Sequence, residues 1–176
     1  LKTPWNQHTK LVRIGIQGET VSEEDRPDLD LVFLVDTSGS MEAPNKLPLL
    51  KQSLLLLLAQ LKPTDRVSIV TYAGSSGVVL EPTSASDRGT ILARLDALHS
   101  GGGTAGHEGL QTAYRQAEKM RAAGRVGRVI LATDGDFNVG ISDEEELKRY
   151  VEDKKKNGIY LSVLGFGQGY LSLIHI

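Results

Sequence analysis

Apolar residues run unbroken from Leu31 to Val35 and stop at Asp36. A β-favouring run of this length reads as a strand buried on both faces, the habit of a central strand in a parallel sheet. Val126–Thr133 reads as a further buried strand and Ile159–Gly165 as a third apolar one. Arg66–Tyr72 and Gly77–Glu81 read as two more strands, and Gly74-Ser75-Ser76-Gly77 between them predicts an antiparallel turn. Elsewhere the period is helical. Lys46–Lys62 carries leucines at 49, 50, 54–58 and 61, with Pro48 in its first turn and Pro63 beyond its end. It is apolar nearly all round, which predicts a helix buried on most sides. Ser86 or Asp87 caps the next helix, whose Ile91, Leu95 and Leu98 fall at i, i+4 and i+7. A helix from about His107 to Ala123 turns Leu110, Ala113, Tyr114, Ala117 and Met120 to one face and ends at Gly124. Ser142-x-x-Glu145 is a capping box opening a helix through about Lys156, which Asn157-Gly158 terminates.

Strands alternating with helices give an α/β fold. The expected architecture is a Rossmann-like, doubly wound, mostly parallel sheet with helices on both faces. With right-handed crossovers, the three apolar strands ending at Asp36, Asp134 and Gly165 lie side by side, and one antiparallel strand forms an edge. Before the sheet, Val12, Ile14 and Ile16 alternate with polar or small residues and predict a half-buried strand. Glu19 to Asp30, with Pro27, reads as a linker or exposed turn. The expected organisation is an arm over 1–29, with Trp5 as one of its packing residues, and a domain over 30–169. Residues 170–176 read as a non-native tail, since Leu171 to Ile176 looks like a translated sequencing adapter. The chain opens on Leu1 rather than methionine and reads as a fragment cut at both ends.

A length of 176 residues suits one domain with a sizeable core. The net charge is −2 with both signs mixed along the chain, which argues against nucleic acid and anionic membranes. The absence of cysteine excludes disulfides, zinc–thiolate sites and thiol chemistry. The longest apolar run, Leu54 to Ala59, falls far short of the roughly 20 residues that span a bilayer, so no membrane insertion is expected of this fragment.

The candidate chemistry sits where the first strand stops. Asp36, Ser38 and Ser40 are spaced by two, so an extended loop turns all three oxygens to one point, and Gly39 permits a tight turn between them. In open α/β sheets the carboxyl ends of the strands are where ligands bind. Converging oxygens suggest a hard cation such as Mg²⁺, but three do not fill its octahedron. Thr104, in the glycine-rich stretch 101–106, and Asp134, at the end of the second apolar run, offer more. Each piece alone also has a plainer reading. Asp36 to Ser40 fits a capping turn, Asp134-Gly135 an ordinary turn, Thr104 a helix cap, and Asp136 the cap of the turn that follows. Gly101, Gly103 and Gly106 match a dinucleotide fingerprint, but that motif needs a strand before it and here a helix precedes it. A haloacid-dehalogenase-like phosphatase needs a second aspartate where Ser38 stands. A serine hydrolase needs a histidine base; His99 and His107 flank the glycine loop, but no Gly-x-Ser-x-Gly elbow surrounds Ser38.

Taken together, Asp-x-Ser-x-Ser, a threonine in a glycine-rich turn and Thr-Asp-Gly after a strand resemble the von Willebrand factor type A domain. The wording DTSGSM, KLPLLK, DRVSIVTYAG, TAG and LATDGDFNVG is most similar to bacterial secreted or envelope-associated members, over about Asp30 to Gly167. The resemblance implies a metal-ion-dependent adhesion site carried by Asp36, Ser38, Ser40, Thr104 and Asp134, and a bound Mg²⁺, or Mn²⁺ or Ca²⁺. It implies a protein partner captured through an Asp or Glu carboxylate, with no catalysis. It also implies a place in the cell envelope, the periplasm or outside the cell. Gly103 departs from relatives that often carry serine there, which implies a more flexible turn. Two carboxylates among three hydroxyls leave an ion electrophilic. The same open position would in principle activate water, giving a metal-dependent hydrolase as an alternative, though no general base stands beside it. A third reading is a structural assembly subunit whose metal site is non-functional.

Overall fold

The computed structural model describes residues 2–3, 6–10, 15, 22, 25–73, 75–101, 106–135 and 144–167. In the arm, β1 (Lys2–Thr3) pairs antiparallel with β2 (Asn6–Lys10), a hairpin the polar sequence there does not announce. The strand predicted on Val12, Ile14 and Ile16 lies outside the described residues, as do Trp5, the capping serine Ser142 and the tail after Gly167.

The remaining strands form one sheet. They are β3 (Leu29–Asp36), β4 (Arg66–Tyr72), β5 (Ser76–Ser84), β6 (Val126–Thr133) and β7 (Ile159–Gly165). Their order is β5-β4-β3-β6-β7. β3 pairs parallel with β4 on one side and β6 on the other, and β6 pairs parallel with β7. β5 is the antiparallel edge, joined to β4. Pro82 is tolerated there because an edge strand does not need every ladder donor. Among the described residues, four helices cover the sheet: α1 (Leu47–Ala59), α2 (Arg88–Asp96), α3 (Gly106–Met120) and α4 (Glu144–Lys156). The α/β, mostly parallel, doubly wound architecture is the one expected.

Alternation along β3 divides the core in two. Leu31, Phe33 and Val35 face α1 and α2, meeting Leu47, Leu50, Leu54, Leu58, Ile91 and Leu95. Val32 and Leu34 face the other way, meeting Leu110, Ala113, Tyr114, Ala117 and Met120 of α3 and Leu147 of α4. Each fully buried Leu or Ile contributes about 1.5–3 kcal/mol, so the two layers supply most of what holds the sheet. The side chain of Asp87 accepts from the Thr90 N–H at 3.2 Å and caps α2. The corresponding hydroxyl of Ser86 is instead 2.8 Å from that of Ser84.

Two expectations are corrected. Helix α1 is not buried on most sides. Leu47, Leu50, Leu54 and Leu58 point inward, while Leu49, Leu55 and Leu56 are exposed, Leu56 to 73%. The sheet covers only one stripe of a helix, so a leucine-rich composition does not bury the other. Nor is the end of the 19–30 segment a free linker. Leu29 and Asp30 already belong to β3, Asp30 is buried, and Arg26 bridges to Asp65 at 2.8 Å.

Candidate metal centre

β3 delivers Asp36 to the carboxyl end of the sheet with both carboxylate oxygens engaged and no solvent exposure. Oδ1 accepts from the Ser38 N–H at 2.9 Å, which folds the chain back over the strand end. Oδ2 accepts from the Tyr72 hydroxyl and from the Thr133 hydroxyl, each at 3.2 Å. Both donors come from strands that flank β3. Tyr72 lies opposite Asp36 in the parallel register of β3 and β4. Thr133 ends β6, and its hydroxyl also accepts from the Gly135 N–H at 3.3 Å. Burial, and then the negative charge of Asp36, push the Tyr72 phenol above its ordinary pKa, so it remains a donor. Asp36 is therefore oriented by three neutral donors.

After Asp36 the chain enters a short 3₁₀ turn, Gly39–Glu42, pinned by buried Met41. The Ser38 and Ser40 hydroxyl oxygens lie 3.0 Å apart, Ser38 buried and Ser40 exposed. The next residue of consequence is Lys46, at the start of α1. Its Nζ donates to the Ser40 carbonyl at 2.9 Å and to Asp134 Oδ2 at 2.8 Å. The Asp134 side chain, one residue beyond β6, is only 4% exposed. The Thr37 N–H donates to the Tyr72 carbonyl at 3.0 Å, and the Thr37 carbonyl accepts from the Gly101 N–H at 2.7 Å. That last bond ties the start of the glycine-rich stretch to the same strand end.

The structure thus gathers Asp36, Ser38, Ser40 and Asp134 at one edge of the sheet. Thr104 and Asp136 lie outside the described residues, as does the His107 side chain, while His99 is exposed. Among the described residues, no three or more His, Cys, Asp or Glu side chains converge. The donors here are carboxylate and hydroxyl oxygens, a set suited to Mg²⁺, Mn²⁺ or Ca²⁺ rather than to soft metals. The Lys46 ammonium, held by the Ser40 backbone carbonyl and Asp134 Oδ2, places one cation at this edge.

Sequence reading missed Tyr72, Thr133 and Lys46. Tyr72 was readable in principle: a hydrogen-bonding side chain at the end of a strand parallel to β3 falls beside Asp36. Thr133 is the residue before a candidate already named. Lys46 carries no local signal, because its partner is 88 residues away.

Another position matters by what it lacks. Gly109 of α3 lies against Tyr72, where an added Cβ would stand 2.8 Å from Tyr72 Cβ and 3.3 Å from Leu34 Cδ1. The close approach seats α3 directly on the residue that holds Asp36.

Residues 30–174 match the family model of the von Willebrand factor type A domain. The chain is 43% identical over 164 residues to the uncharacterized protein YfbK of Escherichia coli, covering 93% of this chain and 28% of that protein. It thus spans well under half the length of that relative. Among solved structures it is similar to BatB from Bacteroides thetaiotaomicron, with a TM-score of 0.64 and 26% identity over 78% of this chain and 66% of that one. It is also similar to proximal thread matrix protein 1 from the mussel byssus, with a TM-score of 0.64 and 25% identity over 82% of this chain and 37% of that one. In that protein the metal-ion-dependent adhesion site motif is occupied by zinc.

Proposed function

The chain belongs to the von Willebrand factor type A domain family, and on that premise we propose that it is a metal-dependent protein-binding module. Asp36, Ser38, Ser40, Thr104 and Asp134 hold a divalent cation of the Mg²⁺, Mn²⁺ or Ca²⁺ class, and a partner protein supplies an Asp or Glu carboxylate to it. When bound, the cation supplies an electrophilic centre with a position left for an outside oxygen. The observation that carries this reading is the way Asp36 is held. Its donors are two hydroxyls and a backbone N–H, all neutral, so the buried side chain is fixed in place without a cationic partner among the described residues. A fully buried carboxylate without a cationic partner is costly, and a cation offsets that cost.

The roles of the side chains follow. The Ser38 and Ser40 hydroxyls position without adding charge. Asp36 and Asp134 together no more than neutralise a divalent ion, so a third, external carboxylate remains attractive. Thr104 is assigned from the family motif. The Gly101–Thr37 bond holds the start of its turn at the strand end. No residue at this edge is assigned a catalytic role, and the module binds rather than reacts. Calorimetric titration with Mn²⁺ tests the assignment. One site is expected in the wild-type protein, and none in Asp36→Ala. Equal binding by the two proteins would remove Asp36 from the site and the reading with it.

A further inference from the structure

We infer that the amino edge of the sheet carries a second binding site, a pocket that needs no metal and in which Arg121 receives an aspartate or glutamate side chain of a partner protein. It lies at the opposite end of the strands from the metal centre and stands independently of the metal reading.

Asp30, Gly127 and Ile159 each stand at the start of a strand. With the end of α3 and the turn from α4 into β7, they bound a pocket of about 70 Å³. Its floor is deep: Asp30, Ala117 and Ile159 are each 1% exposed. Its rim is open, because Arg121, Ala122, Asn157 and Gly158 are exposed. Gly127 is the odd residue in its wall. A glycine inside a strand weakens it and marks a bulge, a bend or a close approach by another group. The register of β6 with β3 and with β7 runs unbroken through Gly127, and its φ is not positive. Packing does not demand a glycine either. An added Cβ would stand 3.4 Å from Ile159 Cγ1 and 3.5 Å from the Gly158 carbonyl, both ordinary contact distances. What the bare Cα does is leave the pocket open between those walls.

Charge decides what the pocket takes. Asp30 on the floor is answered by Arg66 and Arg125, and the other Arg125 donors go to Asp28 and two backbone carbonyls. Two arginines and two aspartates cancel. Of the cations nearby, Lys119 bridges to Glu81 and Lys154 to Glu118. The Arg121 guanidinium has no hydrogen bond or ion pair among the described residues. The helix dipole does not require it, since Lys119 already stands in the last turn of α3. The pocket is therefore polar, with one uncompensated cation in its lining, and it attracts an anion. Its volume is that of about two water molecules at roughly 30 Å³ each, which suits a carboxylate and excludes a sugar or a base. A guanidinium meets a carboxylate with two parallel N–H···O bonds. An exposed guanidinium holds a free carboxylate weakly, so the occupant is a carboxylate that a protein chain presents.

A hexaglutamate peptide, titrated in excess chelator so that the metal centre takes no part, tests the site. The readout is the Arg121 Nε–H resonance, assigned by its loss in Arg121→Lys. The peptide is expected to shift it saturably in the wild-type protein. Gly127→Ala leaves every charge in place and its methyl fits at ordinary distances, so its melting temperature should stay near wild type. Because the methyl fills the pocket, the peptide should bind several-fold more weakly. Arg121→Lys, read by calorimetry, keeps the charge but loses the planar fork and should weaken binding likewise. Asp36→Ala, in the same chelator, should bind as wild type does. No saturable shift in the wild-type protein overturns the site. Equal affinity in Gly127→Ala also overturns it, because attraction to diffuse surface charge would survive the methyl. Acetate that matches the peptide per carboxylate overturns the protein occupant in favour of a free anion. Lost binding in Asp36→Ala would move the peptide to the other end of the sheet and overturn the pocket.

Discussion

The two ends of β3 each bury an aspartate, Asp30 to 1% exposure and Asp36 to none, and they compensate it in opposite ways. Asp30 is met by cations. Its Oδ1 accepts from the Arg66 and Arg125 Nε atoms, each at 2.8 Å, and its Oδ2 from Arg66 Nη2 at 2.9 Å. Arg125 goes on to Asp28 and the Leu29 and Thr64 carbonyls, and Arg66 to the Met120 carbonyl at the end of α3. Beside them, Asp65 takes the Arg26 guanidinium and the N–H groups of Leu29 and Lys62. This end is a closed lattice that ties three strands together. At the other end Asp36 meets, among the described residues, only neutral donors, and the Lys46 ammonium goes to Asp134 instead. Equal burial with unequal compensation separates a carboxylate that holds the sheet from one that, on the proposed reading, a metal ion would meet.

The comparison breaks most clearly by removing the charge at each end. Asp30→Asn leaves two guanidiniums short of their partner and is expected to cost about 3–5 kcal/mol of stability. Asp36→Asn, in chelator, disturbs only hydrogen bonds between neutral donors and a carboxylate and should cost about 1 kcal/mol. Urea denaturation reads both; equal costs would erase the distinction. A smaller effect sharpens the functional end. Gly109→Ala drives a methyl into Tyr72 and should cost about 1–3 kcal/mol. Because Tyr72 holds Asp36, Mn²⁺ affinity should fall with it. Lost stability with unchanged affinity would mean that α3 does not position the site.

The smallest effect lies in acid and belongs to the lattice. Burial acts to raise the Asp65 pKa, but Arg26 and the Leu29 and Lys62 N–H groups outweigh it and hold the carboxyl below its ordinary 3.8. The folded pKa is the lower one, so the unfolded chain takes up the proton first. The stabilisation is complete above about pH 4 and is lost as pH falls through the folded value. Asp65→Asn should flatten the stability–pH curve below about pH 4 and leave its slope near neutrality unchanged. A curve of wild-type steepness would assign the acid limb to other groups.

How far the sequence could be read follows from how local each signal is. β6 and β7 have the bounds read from the sequence because runs of β-favouring apolar residues dominate both, although β7 ends the sheet and leaves Tyr160 and Leu164 exposed. The positions of Asp36, Ser38, Ser40 and Asp134 were legible for the same reason: a polar cluster ending such a run can only stand at the sheet edge. The leucines of α1 misled, since a run such as Leu54–Leu58 has no inside or outside until the sheet chooses one. Asp30 was mistaken for linker because its partners, Arg66 and Arg125, arrive from 36 and 95 residues away. Tyr72 and Lys46 were missed in the same way. Pairing across strands creates these contacts, and a linear pattern does not encode them.

The place of β3 has a consequence for time. It is hydrogen-bonded to a parallel strand on both sides, so its backbone cannot part from one neighbour and fray, as an edge strand can. Central strands of this kind open only when the whole molecule opens, at a free energy close to that of global unfolding. Asp36 therefore rides on one of the slowest-opening elements the protein has.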